Sequence, residues 1–294
     1  MARLAGLAGT GVVKTLRARH SISGVMIGLT YIAAVLATLP LVLILWHLLK
    51  KGATSLSLEF FTNMPKPVGE AGGGMANAIV GTLTLIGIAC VIGLPIGIGA
   101  GIYLAEKRIT PIAHSVRFLS DVLNGLPSIV MGIFAWEFLV RPAGHFSALA
   151  GGAALGAMMI PLVTRTSEEM LRVVPVSLRE AALALGYPRW RTSISIVLRT
   201  ALAGIATGAL VAVARIAGET APLLFTAFGN QFWSTSLREP IAALPLQIFT
   251  YAISPYDEWH AQAWAGALVL ISMVLVISVA ARFVTRSKFG APVD

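Results

Sequence analysis

The sequence predicts an all-α membrane protein with six transmembrane helices. Its 294 residues are 56% hydrophobic and 12% charged, with a mean hydropathy of +0.82, whereas soluble domains carry roughly 25% charged residues. Six stretches with few or no charges each reach the ~20 residues that a helix needs to cross a membrane. They do not alternate as barrel strands would. The predicted spans are residues 22–49, 75–105, 118–136, 146–164, 200–228 and 261–281.

The basic residues predict the orientation of these spans. Most of the 22 Lys and Arg residues lie in four segments: the first 21 residues, the loop after the second span, the loop at 165–199 and the C-terminus. Basic loops of membrane proteins stay in the cytoplasm. We therefore expect a multi-pass membrane protein with a cytoplasmic arm (1–21), a six-helix domain (22–285) and a cytoplasmic tail (286–294). The net charge of +9 then reflects orientation and not nucleic-acid binding.

Motifs of catalysis and nucleotide binding are absent from the sequence. No Lys follows a Gly, which excludes a G-x-x-x-x-G-K-[ST] phosphate-binding loop, and neither H-E-x-x-H nor G-x-S-x-G occurs. The lone Cys90 cannot form an internal disulfide. We expect no catalytic residue, metal or cofactor in this chain, so any energy must come from a partner or an ion gradient.

The loop at 165–199 contains the pattern of a short helix. Ser177 and Glu180 have the spacing of a capping box after the helix-ending Pro175, and Gly186 suits the position just past a helix end. The sequence thus predicts a helix over residues 178–185. One face of that helix carries small and apolar residues at helical spacing: Leu178, Ala181, Ala182 and Leu185. The helix either packs on its own bundle or inserts into a groove of a partner.

The same loop resembles a known family. Glu180-Ala181-Ala182, then Gly186, then the Ile-Val-Leu of residues 196–198 are similar to the E-A-A…G…I-x-L-P loop of importer permeases of the ATP-binding-cassette class. The resemblance implies a type I permease fold whose short helix, the coupling helix, docks on a cytoplasmic ATPase. Arg199 replaces the final Pro, and we expect it to extend toward lipid headgroups.

A wider pattern resembles the phosphate-importer permeases of this class. The matching segments are residues 73–82, 95–106, 123–130, 217–223 and 239–245. The resemblance implies half of a phosphate pathway, completed by a second permease. It also implies a dimer of ATPases that binds ATP and Mg, and an extracytoplasmic phosphate-binding protein. The open alternatives are another oxyanion, such as molybdate or sulfate, a gradient-driven transporter, and a membrane sensor or scaffold.

Two charged residues interrupt the fifth predicted span. Arg215 and Glu219 are spaced i, i+4, and Gly218 and Pro222 make a kink or break there plausible. Charges within a membrane point to function by default. One hypothesis is that the Arg215 guanidinium binds the passing anion while Glu219 competes for it. The other is that the two side chains neutralise each other.

Asp121, Asn124 and Ser128 are predicted to share one face of the third span. This polar face lines the path or binds the second permease; alternatively, Asp121 only caps the inner end.

Two outer segments each allow two interpretations. The glycines at 72–74 form either an anion cradle or a turn before the second span. In the loop at 229–260, a helix over 240–252 either lies at the membrane surface or closes the path and meets the binding protein.

Overall fold

The computed structural model describes the backbone of residues 2–70, 72–107 and 109–289, and the side chains within 22–70, 72–107 and 109–283. The single β pairing among them is a bridge between Phe228 and Ile241. The helices are α1 (Ala2–Thr54), α2 (Leu58–Thr62), α3 (Ala76–Glu106), α4 (Pro111–Gly125), α5 (Ser128–Ala143), α6 (Ala148–Val173), α7 (Val176–Ala184), α8 (Arg189–Ala217), α9 (Ala221–Thr226), α10 (Leu244–Ala252) and α11 (Asp257–Phe289).

Five of these helices contain segments long and apolar enough to cross a membrane: α1, α3, α6, α8 and α11. The third predicted span is instead a bent pair, α4 and α5, whose axes meet at 108°. The prediction of an all-α membrane protein is confirmed. The third and fifth predicted spans are nevertheless wrong as single helices, because each is broken.

Residues 1–51 and 52–294 form two compact units. The first unit holds most of α1, whose apolar segment is Ile22–Thr54. Two hydroxyls within it donate to the carbonyls four residues earlier, Thr30 to Met26 at 2.8 Å and Thr38 to Ala34 at 2.9 Å. These bonds satisfy the hydroxyls within an apolar helix. The backbone of 2–21, the predicted basic arm, continues α1, and its side chains lie outside the described residues, as do those of the 286–294 tail.

The core of the second unit is the close packing of α3 against α6. A Cβ at Gly97 would lie 2.7 Å from the Val163 Cβ, and one at Gly101 would lie 2.5 Å from the Ser167 Cβ. On α6, a Cβ at Gly152 would lie 2.5 Å from the Ile88 side chain. Small residues at such spacing let helix backbones approach closely, as in membrane helix pairs. Residues of α3, α6, α8 and α9 fill the surrounding core: Leu85, Ala89, Leu155, Met159, Ala212, Ile216 and Leu223.

Pro127 breaks the third predicted span. Proline lacks an N–H group and disfavours the helical conformation in the residue before it. Leu126 is accordingly extended (ψ 138°), and α5 starts afresh at Ser128. Ser128 therefore cannot share a helix face with Asp121 and Asn124, and that expectation is wrong.

The fifth predicted span, 200–228, is interrupted at Gly218. Helix α8 stops at Ala217, and α9 begins at Ala221 with Pro222 in its first turn. At its other end, α8 begins already at Arg189 and passes through a π-helical turn at Ser193–Val197. Arg199 therefore lies inside a continuous helix.

Replacing Gly97 by Ala should lower the free energy of unfolding by about 1–3 kcal/mol, because its Cβ would overlap Val163. The matched control is Gly99→Ala on the same helix, where no atom lies within 4 Å of the new Cβ. Thermal unfolding in detergent measures the difference. Equal unfolding temperatures for the two variants would contradict this account of the α3–α6 contact.

Candidate translocation and coupling sites

The predicted coupling helix is present as α7, but it starts differently from the prediction. It runs from Val176 to Ala184, and Pro175 occupies the N-cap position with no side-chain cap. Ser177 is therefore the second helical residue and not the cap, so the predicted Ser177–Glu180 capping box is wrong. The physical reason is that Pro175 itself is extended (ψ 137°) and directs the chain into the helix two residues earlier.

The end of α7 follows the prediction. Gly186 has a left-handed backbone (φ +82°), which glycine adopts without a steric penalty. Its N–H donates to the Leu183 carbonyl at 3.0 Å, and the Tyr187 N–H donates to the Ala182 carbonyl at 3.1 Å. These two bonds form a Schellman motif, which stops the helix at this point.

Most of the predicted apolar stripe on α7 points away from the rest of the chain. Ala182 is buried, whereas Ala181 is exposed, and Leu178 and Leu185 are 42% and 78% exposed. Glu180 is also exposed. A helix of this length is not stable alone in water. The exposed part of the stripe is therefore an apolar surface on a helix too short to be stable by itself. Contacts with other parts of the protein or with a partner must stabilise this helix.

Arg179 supplies part of that support. Its guanidinium forms an ion pair with Glu106, the last residue of α3, and also donates to the Leu171 carbonyl of α6 at 3.3 Å. The Arg179 side chain is only 18% exposed. One side chain of α7 therefore contacts the ends of two long helices.

A buried carboxylate lies beside this contact. The Glu168 side chain of α6 is 2% exposed and pairs with three arginines: Arg117 at 2.7 Å, Arg172 at 2.5 Å and Arg165 at 3.2 Å. Arg117 comes from α4 and also donates to the Leu104 carbonyl of α3 at 2.9 Å. A buried charge is tolerated only when it is paired and hydrogen-bonded. We call Glu168 and its three arginines the Glu168 cluster.

Sequence analysis missed the Glu168 cluster. The spacing of Arg165, Glu168 and Arg172 within one helix, i, i+3 and i+7, was an available signal. The partner on α4, Arg117, is 51 residues away and was recognisable only from the tertiary structure.

Asp121 pairs with an arginine of the same cluster. Its two carboxylate oxygens accept from the Arg165 Nε at 2.8 Å and Nη2 at 2.6 Å. In this bidentate pair α4 supplies the acid and α6 the base, whereas in the Arg117–Glu168 pair α4 supplies the base and α6 the acid. Asn124 lies one turn further along α4 and is half-buried. The role of Asp121 and Asn124 in a path stays a prediction.

Arg215 and Glu219 are separated by the end of α8. Arg215 lies in the last turn of the helix and is exposed; Glu219 follows Gly218 in the break before α9 and is half-buried. The Glu219 N–H donates to the Ile216 carbonyl at 3.2 Å. Their helical i, i+4 placement is therefore wrong, and among the described ion pairs none joins the two.

The glycines before α3 form a packed turn. Consecutive N–H groups of Gly74, Met75 and Ala76 donate to the carbonyls of Met64, Phe60 and Asn63. A Cβ at Gly74 would lie 2.5 Å from the Glu59 carbonyl oxygen. The Gly74 N–H is thus already bonded to a carbonyl, and the Glu59 carboxylate would lie 2.8 Å from a Cβ at Gly72, so the interpretation as a turn is favoured over an anion cradle.

The loop at 229–260 packs on α3. The Leu244 N–H donates to the buried Thr82 hydroxyl at 2.8 Å, and the Asn77 amide donates to the Asn230 and Gln231 carbonyls at 3.0 and 3.1 Å. The helix predicted over 240–252 is α10, with Leu244, Pro245, Leu246 and Tyr251 buried. A cavity of about 210 Å³ lies between this helix and the segment after α9. One side of the helix is thus packed into the bundle, while Phe249, Thr250 and Ala252 are exposed, and its role in closing the path stays a prediction.

The fold and the exposed α7 define a class of protein, the membrane permeases of binding-protein-dependent transport systems. A structure of the MetNI methionine ABC transporter shares this fold, with a TM-score of 0.57 at 18% identity over 72% of this chain and 96% of that chain. Residues 97–289 match the family model "Binding-protein-dependent transport system inner membrane component".

Relatives within this class are more similar. The phosphate transport system permease protein PstA of Yersinia pestis is 51% identical over 84% of each chain. The protein of the same name from Xylella fastidiosa (strain 9a5c) is 47% identical over 90% of this chain and 92% of its own. The chain therefore belongs to the PstA family of binding-protein-dependent permeases.

Replacing Glu168 by Gln should lower the free energy of unfolding by about 3 kcal/mol, because three guanidinium groups would lose their shared anion. Glu169→Gln is the matched control, since that neighbour is exposed. Thermal unfolding in detergent provides the measurement. A Glu168→Gln protein as stable as the control would show that the cluster does not hold the helices together.

Replacing Gly186 by Ala should destabilise α7, because L-residues pay roughly 1–2 kcal/mol for a left-handed backbone. Gly218→Ala is the control, since its φ is −95° and both sites have open space around the new Cβ. Hydrogen exchange of the α7 amides should accelerate about fivefold or more in the first variant only. Unchanged exchange would mean that the Schellman motif does not support α7.

Proposed function

We propose that this chain is the permease subunit of an ATP-driven phosphate importer and forms half of its membrane pathway. The observation that carries the proposal is the 51% identity, over 84% of both chains, to a phosphate transport system permease protein PstA. The chain itself performs no catalysis in this proposal, because it acts by changing the access of the pathway to each side of the membrane.

The partners supply what this chain lacks. A second permease completes the pathway, an extracytoplasmic phosphate-binding protein delivers the anion, and a dimer of cytoplasmic ATPases binds ATP and Mg. Docking of α7 on the ATPase is supported by the exposed Leu178 and Ala181 of the helix and the exposed Leu185 just after it, since an apolar helix face suits a groove of a partner.

The distribution of basic residues supports the orientation. Arg165, Arg172 and Arg179 lie at the end of the bundle that carries α7, which we place in the cytoplasm together with both termini. The chain is then a multi-pass protein of the bacterial inner membrane. Closure of the ATPase pair on ATP moves α7 and turns the pathway from one side to the other.

We assign Arg215 the role of guiding the anion. Its guanidinium is exposed, it lies in a membrane-spanning helix, and it is not neutralised by Glu219. A guanidinium can donate two parallel hydrogen bonds to an oxyanion such as phosphate. Glu219, two residues beyond the end of α8, would compete for this arginine only after the segment at Gly218 changes conformation.

Radiolabelled phosphate uptake tests the proposal in phosphate-starved cells that lack this chain. Wild type should restore uptake. The uptake rate with Arg215→Gln should be about tenfold lower than with wild type, or lower still, because charge-assisted hydrogen bonds to the anion are lost. Arg199→Gln is the control, since it removes an exposed arginine from the same helix. Assembly of the complex is verified for each variant.

The outcomes separate the alternatives. Uptake by Arg215→Gln at the wild-type rate would contradict a role for Arg215 in the path. No uptake with an assembled wild-type complex would contradict phosphate as the cargo, and molybdate and sulfate are then tested in the same cells. Uptake that persists without the ATPase but stops with the ion gradient would contradict ATP coupling. Unchanged uptake and ATP use by Glu219→Gln would contradict competition.

A further inference from the structure

Helix α7 packs on the first turns of α8, which follows it in the chain, and two further features hold it in place. Ala182 is its buried apolar residue, and Arg179 forms its ion pair with Glu106. The Ala182 methyl group resists movement of α7 toward the bundle, but it does not resist movement of α7 away from the bundle. Charge-assisted hydrogen bonds are directional and resist displacement either way. Besides the covalent connections at its ends, Arg179 is thus the residue suited to transmit movement of α7.

The Arg179 guanidinium joins two helix ends at once. One nitrogen pairs with Glu106 at the C-terminus of α3, and another donates to the Leu171 carbonyl near the C-terminus of α6, at 3.3 Å. Carbonyl groups at helix C-termini are unsatisfied and carry a partial negative charge. The planar fork of arginine therefore offers a separate nitrogen to each of α3 and α6, whereas a lysine has a single nitrogen to reach both.

The same two helix ends are joined to α4. Arg117 of α4 donates to Glu168 of α6 and to the Leu104 carbonyl of α3. The Asp121–Arg165 pair adds a second link between α4 and α6. Movement of the ends of α3 and α6 would therefore move α4 with them.

From α4 the contacts continue toward Arg215. Helix α5 follows α4 after the 108° bend and packs on α9, where a Cβ at Gly132 would lie 2.8 Å from the Pro222 Cα. Pro222 lies three residues after Glu219, in the first turn of α9. A continuous set of packed helices thus connects α7 to the predicted anion-guiding segment.

We propose that Arg179 is a positioning residue for transport: through Glu106 and the Leu171 carbonyl it transmits displacement of α7 to α3 and α6, and the Glu168 cluster extends it to α4. This inference rests on the proposed function, since it takes α7 to be the ATPase contact. Loss of the Arg179–Glu106 pair should uncouple ATP hydrolysis from phosphate movement without removing either the ATPase or the pathway.

A charge exchange tests this proposal in the complete complex, reconstituted in proteoliposomes with phosphate-loaded binding protein. Glu106→Arg and Arg179→Glu each place like charges together and should lower the phosphate imported per ATP by about fivefold. The double variant restores opposite charges and should return to within about twofold of wild type. The control is the exposed Glu137–Arg141 pair of α5, where the same exchanges should change nothing.

The readout distinguishes positioning from mere stability, because the bound ATPase and its basal hydrolysis are measured in each complex. Single variants with the wild-type ratio would overturn the proposal, as would a double variant no better than the singles. If a single variant fails to assemble, Arg179→Lys decides: the charge stays but the fork is lost, so a wild-type ratio would overturn the proposal. A wild-type complex that does not import phosphate contradicts the proposed function instead.

Discussion

The buried carboxylate of Glu168 is the interaction on which the α7 end of the bundle depends. An unpaired carboxylate in such a place would cost several kcal/mol, so its arginine partners must stay close. Arg117 connects α4 to Glu168, and Arg165 and Arg172 lie in the same helix as Glu168. Asp121 then balances the charge of Arg165. Each of α4 and α6 thus supplies one acid and one base to the two pairs between them. A slide of either helix by one turn would break both pairs.

Close packing of α3 on α6 makes this arrangement possible. Gly97 and Gly101 allow the α3 backbone to approach α6 so closely that the two helices end side by side. Only because these ends are adjacent can one guanidinium, that of Arg179, contact both Glu106 and Leu171. The glycines are thus as important for the position of α7 as its own sequence.

Local sequence signals succeeded where the determinant lies within a few residues. Gly186 ends α7 as expected, because a left-handed backbone is a local requirement. The capping box at Ser177 failed because Pro175 offered a competing way to start the helix. Asp121 was expected to line a path or cap a helix end, and its actual partner, Arg165, is 44 residues away in the chain.

The sequence by itself determined the membrane class, the apolar segments, the short helix α7 and the family, because hydropathy and short motifs depend on residues that are close in the chain. Only the tertiary structure decided that the third span is a bent pair of helices, that the break at Gly218 leaves Glu219 outside α8, and that Glu168 is the centre of an ion-pair cluster. The physical reason is that the cost of a buried charge or a broken helix depends on which groups from other helices satisfy it. Those groups are brought together by packing, which no single stretch of sequence contains.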